Sequence, residues 1–349
     1  MLLILALAAL SSGRLFSSEK FKTNQDFVKG EIQYVADTLT SKGVYNYDYV
    51  QGEQKINNTF VYATKKIDEY EVLIANSKET DANYYSIADS KATFDKLKTT
   101  QPLTADEIKC AVINRTYTGN LYGCIGYTVL AVEDGDIAPS ITHLIANGVT
   151  QIKYTNVPKE ISSIPGFEAT IDIPHDCSAA NTGYSFLDMS IHKNGVVDTS
   201  CVPNSAVPTD NKCSDSTKIK TTYLKGFRWG DVGQVDAEIL KKLIQRFGVT
   251  VTRFRFQTGI AEPPYIDASA ILFGWRTVGE GEAAKQYWVG AAYDIETLKY
   301  EWVDDLLPIE QPLSTSTATF LFKSGVSAVR AALGVFAAAV LLPAVALFL

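Results

Sequence analysis

Residues 236–256 read DAEILKKLIQRFGVTVTRFRF, a helical pattern running directly into a strand pattern. Ile239, Leu240, Leu243, Ile244 and Phe247 fall at three- and four-residue steps and share one helix face. Asp236 supplies a capping acceptor at its start, and Gly248 ends it. The β-branched and aromatic residues of 250–256 then predict a strand, and the same signal recurs at 269–275 and 286–292. Upstream the periodicity is helical. It predicts helices over 24–39 and over 57–75, where Phe60, Val61, Ala63, Ile67, Tyr70, Leu73 and Ile74 make one stripe. Shorter helices are expected at 102–110 and at 140–146, the latter stopped by Asn147 and Gly148. Residues 76–100 are polar, and 160–215 are rich in Ser, Asn, Asp and Pro and read as irregular. A helix-rich first part and a strand-rich second part predict an α+β fold.

The chain has 349 residues, enough for a full hydrophobic core, and a net charge of −7 without a basic stripe, which excludes a nucleic-acid partner. Its three histidines, His143, His175 and His192, are not spaced as metal ligands, so neither a metal nor another cofactor is expected. His175 and Asp176 are neighbours in a polar stretch and read as a solvated turn.

The two ends carry targeting signals. The apolar run of residues 1–10, followed by Ser11, Ser12 and Gly13, predicts a signal peptide over 1–13. Residues 331–349 are apolar and uncharged and follow a small-residue, polar stretch from Ser314 to Ser327, the layout of a signal for a glycosylphosphatidylinositol (GPI) anchor. The attachment residue is Ser324 or Ser316. These readings predict a secreted, membrane-anchored surface protein with disulfides, and glycan acceptors at Asn57 and Asn114. Of five cysteines one must remain unpaired within the chain.

Four segments in order resemble the papain-like cysteine peptidases. Ser41-Lys42-Gly43-Val44 through Tyr49-Val50 to Gln51-Gly52 is similar to the family's approach to its active-site helix. Leu103-Thr104-Ala105-Asp106-Glu107-Ile108-Lys109-Cys110 with Tyr122-Gly123-Cys124-Ile125-Gly126 resembles L-S-x-x-x-L-x-x-C and G-C-x-G-G. Leu224-Lys225-Gly226-Phe227 with the 238–248 helix and 249–256 strand resembles the opening of the second lobe. Ala270 to Trp275 and Tyr287-Trp288-Val289 resemble H-A-V-x-x-x-G-W and Y-W-x-x-K/A-N-S-W. The resemblance implies a two-lobed body over 41–310, with a helical left lobe, an antiparallel, barrel-like right lobe and a cleft between them. Insertions near 76–100 and 160–205 would interrupt it. A short helical segment over 14–40 would precede it, and 311–349 would be linker and anchor signal.

Papain-like catalysis needs a thiolate at a helix N-terminus, an imidazole beside it, an amide orienting that imidazole, and an oxyanion donor. Laid on Q-G-x-C-G-S-C-W, the chain keeps Gln51 at the oxyanion position but has Asn57 at the nucleophile. Ala268 stands at the histidine and Ala292 at the orienting asparagine. Asn57 and Ala268 are 211 residues apart, against a family spacing of about 130–150, and the insertions would carry the surplus. The resemblance also implies disulfides Cys110–Cys213 and Cys177–Cys201 with Cys124 free, and Cys110–Cys124 is the competing pair. The expected function is a catalytically inactive homologue whose cleft binds a peptide or protein. The alternatives are an active cysteine-type endopeptidase using another nucleophile near an imidazole, and a structural coat or adhesion protein.

Overall fold

A computed structural model describes residues 27–35, 40, 42–48, 62–178, 187–210, 212–257, 265–304 and 307–324. Twelve strands and eight α-helices lie among them, a mixed α+β architecture. The strands are β1 (Glu31–Val35), β2 (Val44–Asp48), β3 (Tyr62–Lys66), β4 (Tyr84–Tyr85), β5 (Gln151–Thr155), β6 (Thr170–Asp172), β7 (Phe227–Gly233), β8 (Thr250–Gln257), β9 (Tyr265–Val278), β10 (Lys285–Asp294), β11 (Lys299–Val303) and β12 (Thr317–Lys323). The helices are α1 (Lys91–Phe94), α2 (Ala105–Lys109), α3 (Ala111–Thr118), α4 (Leu121–Glu133), α5 (Ile141–Ala146), α6 (Lys159–Ser162), α7 (Leu187–Asn194) and α8 (Ala237–Phe247).

Nine strands form one antiparallel sheet in the order β11-β10-β9-β8-β12-β7-β1-β3, with β4 added beside β9. A second sheet, β2-β5-β6, holds the parallel pair β2–β5 and encloses a small core of its own around Tyr45, Ile152 and Met189. The large sheet is covered on both faces because its inner strands are apolar on both sides. In β12, Phe320 and Phe322 point to the core under α8, while Leu321 points to the core shared with α3, α4 and α5. All three are fully buried.

The two covering helices are of different kinds. α8 is amphipathic, with Asp236 accepting from Ile239 N at 2.9 Å and Gly248 closing it at φ +81°, a left-handed value that favours glycine. α4 is apolar around most of its circumference, and ten of its thirteen residues are buried. Gly123 and Gly126 let it approach closely: a Cβ on Gly123 would overlap Ile271 of β9, and one on Gly126 would overlap Thr99.

Several expectations need correction. The helix expected over 24–39 contains the strand β1, and that over 57–75 contains β3 and a short 3₁₀ turn, Ile67–Glu69. β1 is held between β3 and β7, so tertiary pairing overrides local helical spacing. The polar stretch at 76–100 also supplies core: Phe94 is fully buried, and Thr100 donates to the Phe94 carbonyl at 3.1 Å. Residues 311–324, expected in the linker, contain β12 in the middle of the sheet.

The disulfides are Cys110–Cys177 and Cys201–Cys213, which replaces the expected Cys110–Cys213 and Cys177–Cys201 and excludes Cys110–Cys124. The turn after Cys201 folds back so that its carbonyl accepts from Ser214 N at 2.8 Å, bringing Cys213 alongside. Cys124 is free and buried.

Candidate functional site

The expected site residues meet the structure unevenly. Gln51 and Asn57 lie outside the described residues, as do 1–13 and 331–349. Ala268 and Ala292 are described and sealed, 4% and 1% exposed. Ala268 stands opposite Phe254 on β8, Ala292 opposite Glu301 on β11, and both side chains join the core beneath α8. Ile271 and Phe273, of opposite parity on β9, face α4 instead. Asn114 is half-buried in α3, and its sequon hydroxyl, that of Thr116, is buried and donates to the Val112 carbonyl at 2.6 Å.

The free thiol occupies the first turn of α4. Cys124 N donates to the carbonyl of Asn120, the residue before the helix, at 2.9 Å. A helix N-terminus ordinarily favours a thiolate. Here burial wins: the Cys124 side chain is fully enclosed, and the thiol is pushed up to about 12, with the Thr128 hydroxyl opposing only weakly.

Tyrosines close the same turn. Tyr300 from β11 accepts from Gly123 N at 3.1 Å through its hydroxyl and donates to the Tyr117 carbonyl at 2.6 Å. The Tyr117 ring lies 5.1 Å from Tyr122, 4.5 Å from Tyr300 and 5.7 Å from Tyr293. Burial raises the Tyr300 and Tyr122 hydroxyls well above their ordinary range, so they remain neutral. The Tyr300 hydroxyl satisfies a donor at the end of α4 that would otherwise be free to bind an incoming carbonyl.

None of the three imidazoles hydrogen-bonds a thiol, hydroxyl or carboxylate among the described residues. His143 on α5 accepts at Nδ1 from Asn147 Nδ2 at 3.2 Å; burial first, and the Lys220 charge second, lower it to about 4. His175 Nε2 faces the Val149 carbonyl at 2.9 Å and so donates to it. His192 on α7 accepts at Nε2 from the Arg228 guanidinium at 2.8 Å, and burial together with that cation lowers its pKa. A base must accept a proton from its nucleophile, and no such pair is assembled here. Among the described residues no three His, Cys, Asp or Glu side chains converge as a metal site.

The loop closed by Cys201–Cys213 has a positioning role that sequence reading missed. Asn204, 2% exposed, accepts at Oδ1 from Ile141 N at 2.8 Å and Thr142 N at 3.3 Å, and donates from Nδ2 to Glu107 and the Pro139 carbonyl. It thereby caps α5 from a distant loop, while Ser140 caps the same end locally by accepting from His143 N at 3.2 Å.

No family model matches the chain, and no curated protein matches it. Among solved structures it is similar to procathepsin B from Trypanosoma congolense, at 12% identity over 70% of this chain and 78% of that one, with a TM-score of 0.34. It is also similar to xylellain, a cysteine protease from Xylella fastidiosa, at 11% identity over 83% and 95% of the two chains, with a TM-score of 0.31. Likenesses this distant assign no residue of the site. The two disulfides suggest an extracellular or secreted protein, and among the described residues no helix is long and apolar enough to cross a membrane.

Proposed function

We propose that the chain is a non-catalytic, papain-like protein of the cell surface. It is secreted by the signal peptide at 1–13 and anchored through the signal at 331–349, and it works by binding a peptide or protein rather than by hydrolysis. The observation that carries this reading is Cys124: a free thiol in a helix's first turn, fully enclosed and pushed up to about 12, with no imidazole bonded to it.

Cys124 also suggests a second register for the family motif. Thr118-Gly119-Asn120-Leu121-Tyr122-Gly123-Cys124-Ile125 can be laid on Q-G-x-C-G-S-C-W, with Gly119 and Cys124 matching. Cys124 and Ala268 are then 144 residues apart, within the family spacing of about 130–150, where Asn57 required 211. On this register the sulfur is retained and the base is lost. The oxyanion donor becomes Thr118, whose hydroxyl is turned back onto the Asn114 carbonyl at 2.9 Å. Spacing was the signal in the sequence that pointed here. Neither register gives a working pair, because alanine accepts no proton and an enclosed thiol forms no thiolate at neutral pH.

The test is a fluorogenic peptide panel with a thiol-directed active-site probe on the full-length protein. No turnover and no labelling of Cys124 are expected in the native state, with labelling appearing once denaturant is added. Native cleavage abolished by the probe would restore the peptidase alternative and sink the proposal.

A further inference from the structure

We infer that the lipid anchor is joined at Ser324 and not at Ser316, which holds the body to the bilayer by the Lys323 end of the large sheet. The inference rests on the reading of 331–349 as an attachment signal. Sequence alone leaves the two serines open. Beyond the three attachment-site positions, four residues, 327–330, precede the apolar run for Ser324 and twelve, 319–330, for Ser316; the first is shorter than the usual polar spacer of about 8–12, and the second has its length but contains the apolar Phe320-Leu321-Phe322.

The sheet decides between them, because anchor attachment discards everything after the attached residue. Joining at Ser316 would discard β12, all seven of whose residues pair with β7 and which also pairs with β8. It would remove Phe320 and Phe322 from one core and Leu321 from the other, and split the sheet between β7 and β8. The Ser316 carbonyl is itself engaged, accepting from Val235 N at 3.1 Å at the start of β12. Joining at Ser324 discards none of the described fold. Ser324 is small, half-exposed and placed directly after the strand.

Attachment at Ser324 also fixes which end faces away. Thr319 pairs with Val251, and Phe254 pairs with Ala268. Lys323 therefore lies four residues from that level in one direction and Ala268 three in the other, roughly 23 Å apart along the strands at about 3.3 Å per residue. The position of the lost base is at the end remote from the anchor.

The experiment is to express the full chain in cells that add such anchors, release it with phosphatidylinositol-specific phospholipase C, and sequence the ethanolamine-bearing C-terminal peptide by mass spectrometry. The expected peptide ends at Ser324. Ethanolamine on Ser316, or on any other residue, overturns the inference while leaving the anchor in place. No release and no ethanolamine-bearing peptide overturns the anchor reading itself, and the inference with it. In parallel, Ser324→Gln is expected to lower the lipase-released surface pool at least tenfold and Ser316→Gln to leave it within twofold; the reverse pattern refutes the assignment.

Discussion

The two faces of the large sheet are closed by different devices. Under α8 a single amphipathic helix, capped at both ends, lays Ile239, Leu240, Leu243, Ile244 and Phe247 onto the strands, while its Lys241 donates to the Glu79 carbonyl and to Gln286 and its Arg246 to the Tyr70 carbonyl. On the other face α4 is wrapped by α3, α5 and the tyrosines of its first turn, and it is fixed by glycine contacts and buried hydroxyls, while Asn204 caps the neighbouring α5 from a distant loop. An amphipathic cover of this kind is held by its own caps and by polar contacts along its outer side. A helix enclosed on most sides depends on its neighbours, so small changes there propagate.

The largest effect is expected where both faces fail together. A chain ended after Ser316 lacks β12 and should not yield folded, secreted protein, whereas one ended after Ser324 should melt cooperatively; equal melting of the two would show that the faces do not share that strand. Next, acid should weaken the α4 side through His143. His143 is held neutral by burial, with its pKa lowered from 6.5 to about 4. The folded state therefore binds fewer protons in that interval, and stability present above pH 6.5 is lost as pH falls toward 4, by about 3 kcal/mol. His143→Gln should remove this part of the pH dependence, read as the difference between the two proteins' urea midpoints across that range. The difference isolates the histidine, because Asp188 and Asp231, both raised to about 6 by burial, act with the opposite sign.

Smaller again, Gly126→Ala should cost about 1–3 kcal/mol by forcing a methyl against Thr99, whose hydroxyl donates to the Ile137 carbonyl at 2.6 Å. On the α8 side, Asp236→Ala removes a cap and an exposed ion pair with Lys29 and should cost about 1 kcal/mol. Chemical denaturation of both variants checks the ranking. Should the cap cost more than the glycine, the contrast between a capped and an enclosed cover does not hold.

That contrast also explains how much was legible in the sequence. α8, its caps and β8 through β10 follow from local periodicity, because each displays the amphipathic or β-branched pattern its environment requires. β1 and β3 were misread because they are strands only by virtue of their partners. β3 is an edge strand carrying Lys65 and Lys66, a charged margin that blunts further pairing but also imitates a helix surface. β12 carries the contiguous Phe320-Leu321-Phe322 that a strand buried on both sides requires, yet its place beside the apolar run expected to be an anchor signal puts it in the expected linker. At the candidate site, the lack of an ionisable side chain at 268 and 292 was readable. The enclosure of Cys124 was not, since it depends on a core drawn from α3, α4, α5 and the sheet, brought together only by folding. The cysteine pairing depends on loop paths that spacing does not encode.

The position of β12 has a consequence for biosynthesis. Of the twelve strands it is the last to leave the ribosome, yet it joins the β8–β11 half of the sheet to β7, β1 and β3. Until it emerges, the two halves have unpaired margins facing each other across a gap. Vectorial synthesis therefore cannot finish this domain piece by piece, and the nascent chain needs shielding from aggregation until β12 has been made.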